Sequence, residues 1–321
     1  MDLLWLGKPV WMWAVFMGAV LALLILDLGI LHKSDKVISA RDALLTYGFY
    51  ILCALGFGAW IWAGLGQEKA IQYYTGYVIE QSLSMDNLFV MALIFGFFKI
   101  PRAYQHRVLF WGILGVVVLR GVMIGTGAAL VAHFHWVLYL FSAFLIFSGI
   151  KMVAMGDHET DIGANPVLGF MRRHMRVEDT LHGHHFFVRL RDPNNKMTAT
   201  YMTPLMVALV MIELADVVFA VDSVPAIFAL TTDPYIVYTS NIFAILGLRT
   251  LYFALAAAME RFAYLKYALS AVLVFIGSKI FITDFVLGDS GFPPSVSLGV
   301  TFALLAAGVG YSLWKTRGRQ A

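Results

Sequence analysis

Long apolar stretches alternate with short polar segments along the whole chain. Nine stretches approach or exceed the roughly 20 residues an α-helix needs to cross a hydrocarbon core of about 30 Å. They fall at roughly 10–31, 43–65, 73–98, 107–131, 135–155, 202–230, 236–258, 265–285 and 294–314. Helix-breaking punctuation supports the divisions: Pro101 follows the third stretch, Asp233-Pro234 the sixth, and Pro293-Pro294 opens the ninth. The first stretch is long for a signal-peptide core and is followed by His32, Lys33 and Lys36 rather than a small-residue cleavage pattern, so it reads as a retained span. The pattern predicts an all-α, polytopic transmembrane bundle of about nine spans, a single membrane domain over residues 1–321. Within it, residues 10–65 hold two N-terminal spans, 73–155 three, 202–285 three, and 294–314 the last, with a loop at 156–200.

Charge orients the bundle. Seventeen of the 23 lysines and arginines fall in one alternate set of loops, among them Lys99, Arg102 and Arg107, and Arg172, Arg173 and Arg176. Only Lys8 and Lys69 fall in the opposite set. Positively charged loops stay in the cytoplasm, so the N-terminus is expected outside and the C-terminus and the 156–200 loop inside.

Composition narrows the function classes. The chain is 60% hydrophobic and 13% charged, about half the charged share of a soluble domain. Its mean hydropathy is +0.77. A net charge of +3 without a basic block gives no footprint for nucleic acid. Cys53 is the only cysteine, which excludes internal disulfides and cysteine-rich metal sites. There is no Walker A loop, and His158-Glu159 lacks the second histidine of a zinc-protease helix. The expectation is not an enzyme, and any transport is gradient-driven or passive.

The third to fifth spans echo the sixth to eighth. Glu80-x5-Asp86-Asn87 matches Asp216-x5-Asp222-Ser223; Ile113-Leu-Gly115 before Arg120 matches Ile245-Leu-Gly247 before Arg249; Phe147-Ser-Gly-Ile-Lys151 matches Phe275-Ile-Gly-Ser-Lys279. Three spans separate corresponding helices, so the copies run in opposite directions. The pattern predicts a 3+3 inverted repeat, a build that places a transporter's site near the bilayer midplane between the repeats.

Glu80, Asp86, Glu213, Asp216 and Asp222 lie well inside spans, with Asp27 deep in the first. A carboxylate at mid-bilayer costs about 2.5–3.5 kcal/mol on insertion scales, so these groups need cations, protons or metal. Arg120, Arg249, Lys151 and Lys279 are the charge-balancing candidates; the two lysines lie near helix ends, where they can snorkel. Four cations against five acids leave a deficit that suits a positive guest. Asp216 and Asp222 stand six apart, about 240° around a regular helix, so a common site requires an interruption. Pro225 offers one, because it frees the carbonyl of Val221 beside Asp222. Ser82, Ser84, Asn87 and Ser223 add hydroxyl and amide oxygens, with Asn241 a further candidate. Oxygen donors suit Mn²⁺, Mg²⁺ or Ca²⁺ over Zn²⁺ or Cu⁺.

Other motifs read more plainly. His133-Phe-His135 is an interfacial turn with a weaker claim as a metal collector. The 156–200 loop carries His158, His174, His182, His184 and His185; it reads as a solvated loop with an amphipathic surface helix near 166–177. Gly121-x3-Gly125 marks close helix packing.

The segments Glu80-Gln-Ser-Leu-Ser-Met-Asp86-Asn87 and Glu213-Leu-Ala-Asp216-Val-Val-Phe-Ala-Val-Asp222-Ser223-Val-Pro225-Ala resemble the two signatures of the TerC family, and Ser240-Asn241-Ile-Phe-Ala-Ile-Leu-Gly-Leu-Arg249 is similar to family sequence. The likeness covers almost the whole chain and is strongest to Alx-type bacterial members. The family takes its name from tellurite resistance and belongs with the lysine-exporter superfamily; Alx-type members are associated with manganese export across the inner membrane. Gln81 and Ser84 depart from the family pattern, where Lys and Ala or Val are frequent, and the loss of that Lys makes the local site more acidic here. The resemblance implies a multi-pass protein of the bacterial inner membrane that exports divalent metal, Mn²⁺ foremost, by alternating access, with protons as an exchange partner. Its partners are the metal ion and the lipid bilayer, with no permanently bound cofactor and no nucleic acid; a homo-oligomer is compatible with the pattern. The rival readings are a membrane scaffold or assembly factor whose charges are structural, and an exporter of Ca²⁺, an amino acid or a tellurium oxyanion.

Overall fold

The computed structural model describes residues 4–26, 40–134, 136–154, 166–191, 198–255, 265–287 and 293–316. The described elements are overwhelmingly helical. They are α1 (Val10–Leu26), α2 (Ala40–Leu65), α3 (Gln67–Leu83), α4 (Met85–Phe97), α5 (Arg102–His133), α6 (Trp136–Ala154), α7 (Pro166–His174), α8 (Pro204–Phe228), α9 (Pro234–Leu255), α10 (Leu265–Ile282) and α11 (Pro294–Thr316). Seven helices are long and apolar enough to cross a membrane; they lie in α2, α5, α6, α8, α9, α10 and α11. The protein is therefore an all-α, polytopic membrane protein.

Two expectations change. The third apolar stretch is not one rod: α3 and α4 meet at Ser84, a single residue at φ −71°, ψ −7°. Its amide still donates to the Glu80 carbonyl at 2.9 Å, and its hydroxyl donates to the Glu80 carboxylate at 2.9 Å rather than to the helix backbone. The interruption expected at Pro225 does not occur, because α8 runs through it to Phe228. The proline lies one turn from the helix end, so one ladder bond is lost while the packing of the preceding turns is kept.

Within the 156–200 segment, the described residues hold more structure than a single helix. Its helix is present as α7, whose Leu168 and Met171 are buried among Phe95, Ile100 and Leu205. Beyond it, β3 (Phe187–Arg191) pairs antiparallel with β4 (Thr198–Met202), in register from Phe187↔Met202 to Arg191↔Thr198. A second small ladder, β1 (Leu4–Trp5) with β2 (Lys8–Pro9), precedes α1.

Tight helix contacts follow missing side chains. A Cβ on Gly149 of α6 would stand 2.9 Å from the Ser270 carbonyl of α10, and one on Gly277 of α10 would stand 2.6 Å from the Ser142 carbonyl of α6. The Ser270 hydroxyl donates to the Gly149 carbonyl across the same crossing. Gly121 meets the Tyr238 ring of α9, but a Cβ at Gly125 would find open space, so that pair is not one packing motif.

Candidate functional site: a buried carboxylate network

Three helices bring charge to one buried point. Arg120 of α5 is 1% exposed, Glu80 of α3 is 0% and Asp216 of α8 is 4%. The guanidinium holds Asp216 in a fork, Nε donating to Oδ2 at 3.1 Å and Nη2 to Oδ1 at 2.9 Å. Its Nη1 faces three acceptors: a Glu80 carboxylate oxygen, Asn241 Oδ1 of α9 at 2.6 Å and Ser223 Oγ at 3.1 Å. Asn241 Nδ2 donates to the other Glu80 oxygen at 3.0 Å, and Asn87 Nδ2 of α4 donates to Asp216 at 3.1 Å. Every carboxylate oxygen of Glu80 and Asp216 thus accepts at least one hydrogen bond. One cation serves two carboxylates, which leaves the ionised cluster at −1.

A cavity of about 50 Å³ adjoins this network, lined in part by Glu80, Ser84, Asn87, Arg120 and Ser223. Asn87 Oδ1 is buried there without a hydrogen-bond partner. Glu213 stands apart from the network. Both its carboxylate oxygens are buried without hydrogen-bond partners, and they press on α5, where a Cβ at Gly115 would lie 2.5 Å from Oε2.

Among the sequence-selected residues, Glu80, Asp216, Asn87, Ser223, Arg120 and Asn241 therefore come together. Arg249 is buried with its guanidinium 5.9 Å over the Phe110 ring. The two lysines differ: Lys151 is exposed, as snorkelling requires, whereas Lys279 is 8% exposed. Val221 faces outward at 46% exposure, and Pro225 is buried. Asp27 lies outside the described residues, as do the side chains of Asp86 and Asp222. Among the described residues, no three Asp, Glu, His or Cys side chains gather as a metal-ligand set. The sequence reading passed over Ser84 as a carboxylate partner and Gly115 as the seat of Glu213. The small residue facing each acid was the signal, but its facing needs the fold.

A second, larger cavity of about 600 Å³ lies at one end of the bundle, lined by Glu68 and Gln72 of α3, Tyr139 of α6, Phe228 of α8, Thr231 and Asp284 among others. The N-termini of α3 and α6 and the C-termini of α8 and α10 meet there, so the first pair runs opposite to the second. At the same end Lys8 and Lys69 both pair with Asp233, at 2.9 and 3.4 Å.

Comparison with known proteins adds the lineage. The sequence pattern described as "Integral membrane protein TerC family" matches residues 65–320. An uncharacterized membrane protein of Myxococcus xanthus is 47% identical over 311 residues, 97% of this chain and 94% of its own. A protein of Escherichia coli K12 named "Putative membrane-bound redox modulator Alx" is 44% identical over 327 residues, 97% of this chain and 98% of its own. No solved structure matches the chain. The chain belongs to the TerC family of integral membrane proteins.

Proposed function

We propose that this protein exports a small divalent cation, with Mn²⁺ the expected cargo, across the bacterial inner membrane by alternating access. One observation carries the reading: two fully buried carboxylates, Glu80 and Asp216, share the single cation Arg120 beside a cavity in whose wall the Asn87 carbonyl oxygen has no partner. A negative cluster in hydrocarbon is held at a cost, and a positive guest or protons relieve it. The cavity has room for a few waters or a largely dehydrated ion at about 50 Å³, which favours a cation over an amino acid. Its oxygen donors favour a hard cation. Asp86 and Asp222, one turn and more beyond Glu80 and Asp216, supply the remaining carboxylates of the proposed site. Clustered carboxylates exchange metal for protons, which offers a coupling ion.

Several features support the inverted-repeat frame and its orientation. α3 and α8 run in opposite directions, as do α6 and α10. Gly149 and Gly277 hold matching places in the two repeats, Ser142 and Ser270 lie seven residues before each, and the contacts between them are reciprocal. Lys8 and Lys69 share one end through Asp233, while Arg107, stacked over Phe186, is at the other with α7 and the β3–β4 hairpin. Under the positive-inside rule the first end is outside.

A second reading, a scaffold whose charges are structural, draws on the completeness of the Glu80–Arg120–Asp216 hydrogen bonding. The redox role in the Alx relative's name meets a chain with one cysteine, which excludes an internal dithiol couple. Flux into proteoliposomes across Mn²⁺, Mg²⁺ and Ca²⁺, with and without a pH gradient, separates the readings. Wild type is expected to move Mn²⁺, and Asp86→Asn and Asp222→Asn are expected to lose that flux while inserting normally. No flux from wild type favours the scaffold; undiminished flux from both variants overturns the site.

A further inference from the structure

The small buried cavity and the large end cavity share four helices. α3 lines the large one with Gln72 and the small one with Glu80; α6 does so with Tyr139 and Met152, α8 with Phe228 and Ser223, and α10 with Ile280 and Leu273. At about 1.5 Å of rise per residue, the separations along α8, α10 and α3 are about 7 to 12 Å. The cavities are therefore stacked along one axis.

Between the two levels each helix contributes a large aliphatic side chain at 0% exposure: Ile79 from α3, Leu145 from α6, Ile227 from α8 and Ile276 from α10. Ile79, Leu145 and Ile276 belong to one packed cluster. Ile227 packs beside Phe228, whose ring would stand 2.9 Å from a Cβ on Gly127 and forms part of the large cavity's wall. Polar groups line both cavities, and these aliphatic side chains lie between the two levels, with Thr75, Ser142 and Lys279 the buried polar residues on the same stretches of α3, α6 and α10. A layer of this kind excludes water and ions while closed, and it opens when α3 and α8 draw away from the glycine-tight α6–α10 pair, without that pair itself parting.

We propose that Ile79, Leu145, Ile227 and Ile276 form the closed outer gate of the cation route, and that the 600 Å³ cavity bearing Glu68 and Asp284 is its outer mouth, sized for hydrated divalent cations. This deepens the transport reading and rests on it for the identity of the cargo. The gate itself makes a prediction that needs no transport.

The test uses one-sided thiol labelling of the full-length protein in sealed cells. Cys53→Ala removes the only native thiol. In that background Thr231→Cys reports on the mouth and Leu83→Cys on the inner cavity. A charged, membrane-impermeant methanethiosulfonate added from outside is expected to label Thr231→Cys and spare Leu83→Cys. Adding Ile276→Ala is expected to accelerate Leu83→Cys labelling about tenfold from that same side. Leu145→Ala, on the facing helix, is an independent second opening, and continued labelling of Thr231→Cys certifies insertion in each background. Unchanged protection of Leu83→Cys in both opened backgrounds overturns the gate, as does access only from the opposite face. Absence of metal flux from wild type sinks the cargo assignment alone and leaves labelling to decide the gate.

Discussion

Arg120 on α5 grips Asp216 on α8 through two parallel hydrogen bonds of 3.1 and 2.9 Å, while its remaining nitrogen serves Glu80 on α3. One side chain thus binds elements from both halves of the sequence inside the bundle. Desolvating such a cluster is expensive, and its worth shows when one member is removed.

Arg120→Gln strands two buried carboxylates and is expected to cost about 3–5 kcal/mol. Arg120→Lys keeps the charge but loses the fork and should fall between the variant and wild type. Adding Asp216→Asn to Arg120→Gln should recover part of the loss. Thermal unfolding of the detergent-solubilised protein reads all three; wild-type melting of Arg120→Gln would show that the cluster does not secure α5 to α8.

Gly115→Ala directs a methyl at a Glu213 carboxylate oxygen 2.5 Å away. The expected penalty is about 1–3 kcal/mol from overpacking. Shortening the acid in the same chain with Glu213→Ala should remove the clash, so the two changes should be strongly non-additive. Additive effects on the melting temperature would contradict the contact.

At the α6–α10 crossing, Gly149→Ala and Gly277→Ala each meet a backbone carbonyl, which cannot rotate away as a side chain can. Each should destabilise by about 1–3 kcal/mol. Gly18→Ala in α1 meets nothing within 4 Å and should be neutral or stabilising by up to about 1 kcal/mol. The contrast between the sites, measured by melting, is the test.

Asp233→Ala releases Lys8 and Lys69 together. Because all three groups retain solvent contact, the loss should stay near or below about 1 kcal/mol for each pair and shrink with added salt. A salt-independent loss matching that of Arg120→Gln would mean that this end of the bundle is not wet.

Much of this architecture is legible in the apolar pattern, because hydrocarbon imposes length and composition on every spanning helix. Each of the nine predicted stretches contains α-helix where described, although the third is split at Ser84, the sixth begins in β4 at Met202, and seven helices are long and apolar enough to cross a membrane. The break at Ser84 was not legible: serine is tolerated within helices, and only the Glu80 carboxylate beside it gives the hydroxyl another acceptor. Pro225 misled in the other direction, since a proline's effect depends on the packing around it. The acids themselves stood out by type and depth. Arg120 and Asn241 stood out as well, but which acid each one serves did not, because Arg120 is distant in sequence from both Glu80 and Asp216, and Asn241 reaches Glu80 only where α9 crosses α3. The β3–β4 hairpin follows a segment too polar and histidine-rich to suggest a strand.

The glycine–carbonyl contacts between α6 and α10 constrain how the molecule could move. Where two backbones touch, there are no side chains to swap between alternative packings, so the junction has one registry rather than a family of them. Sliding would drive Ser142 and Ser270 into neighbouring side chains, and parting would open a void. What remains is pivoting. A swivel fixed at that point converts a small angular change near the junction into a larger displacement at the far rims of the bundle, where the two ends meet opposite solutions.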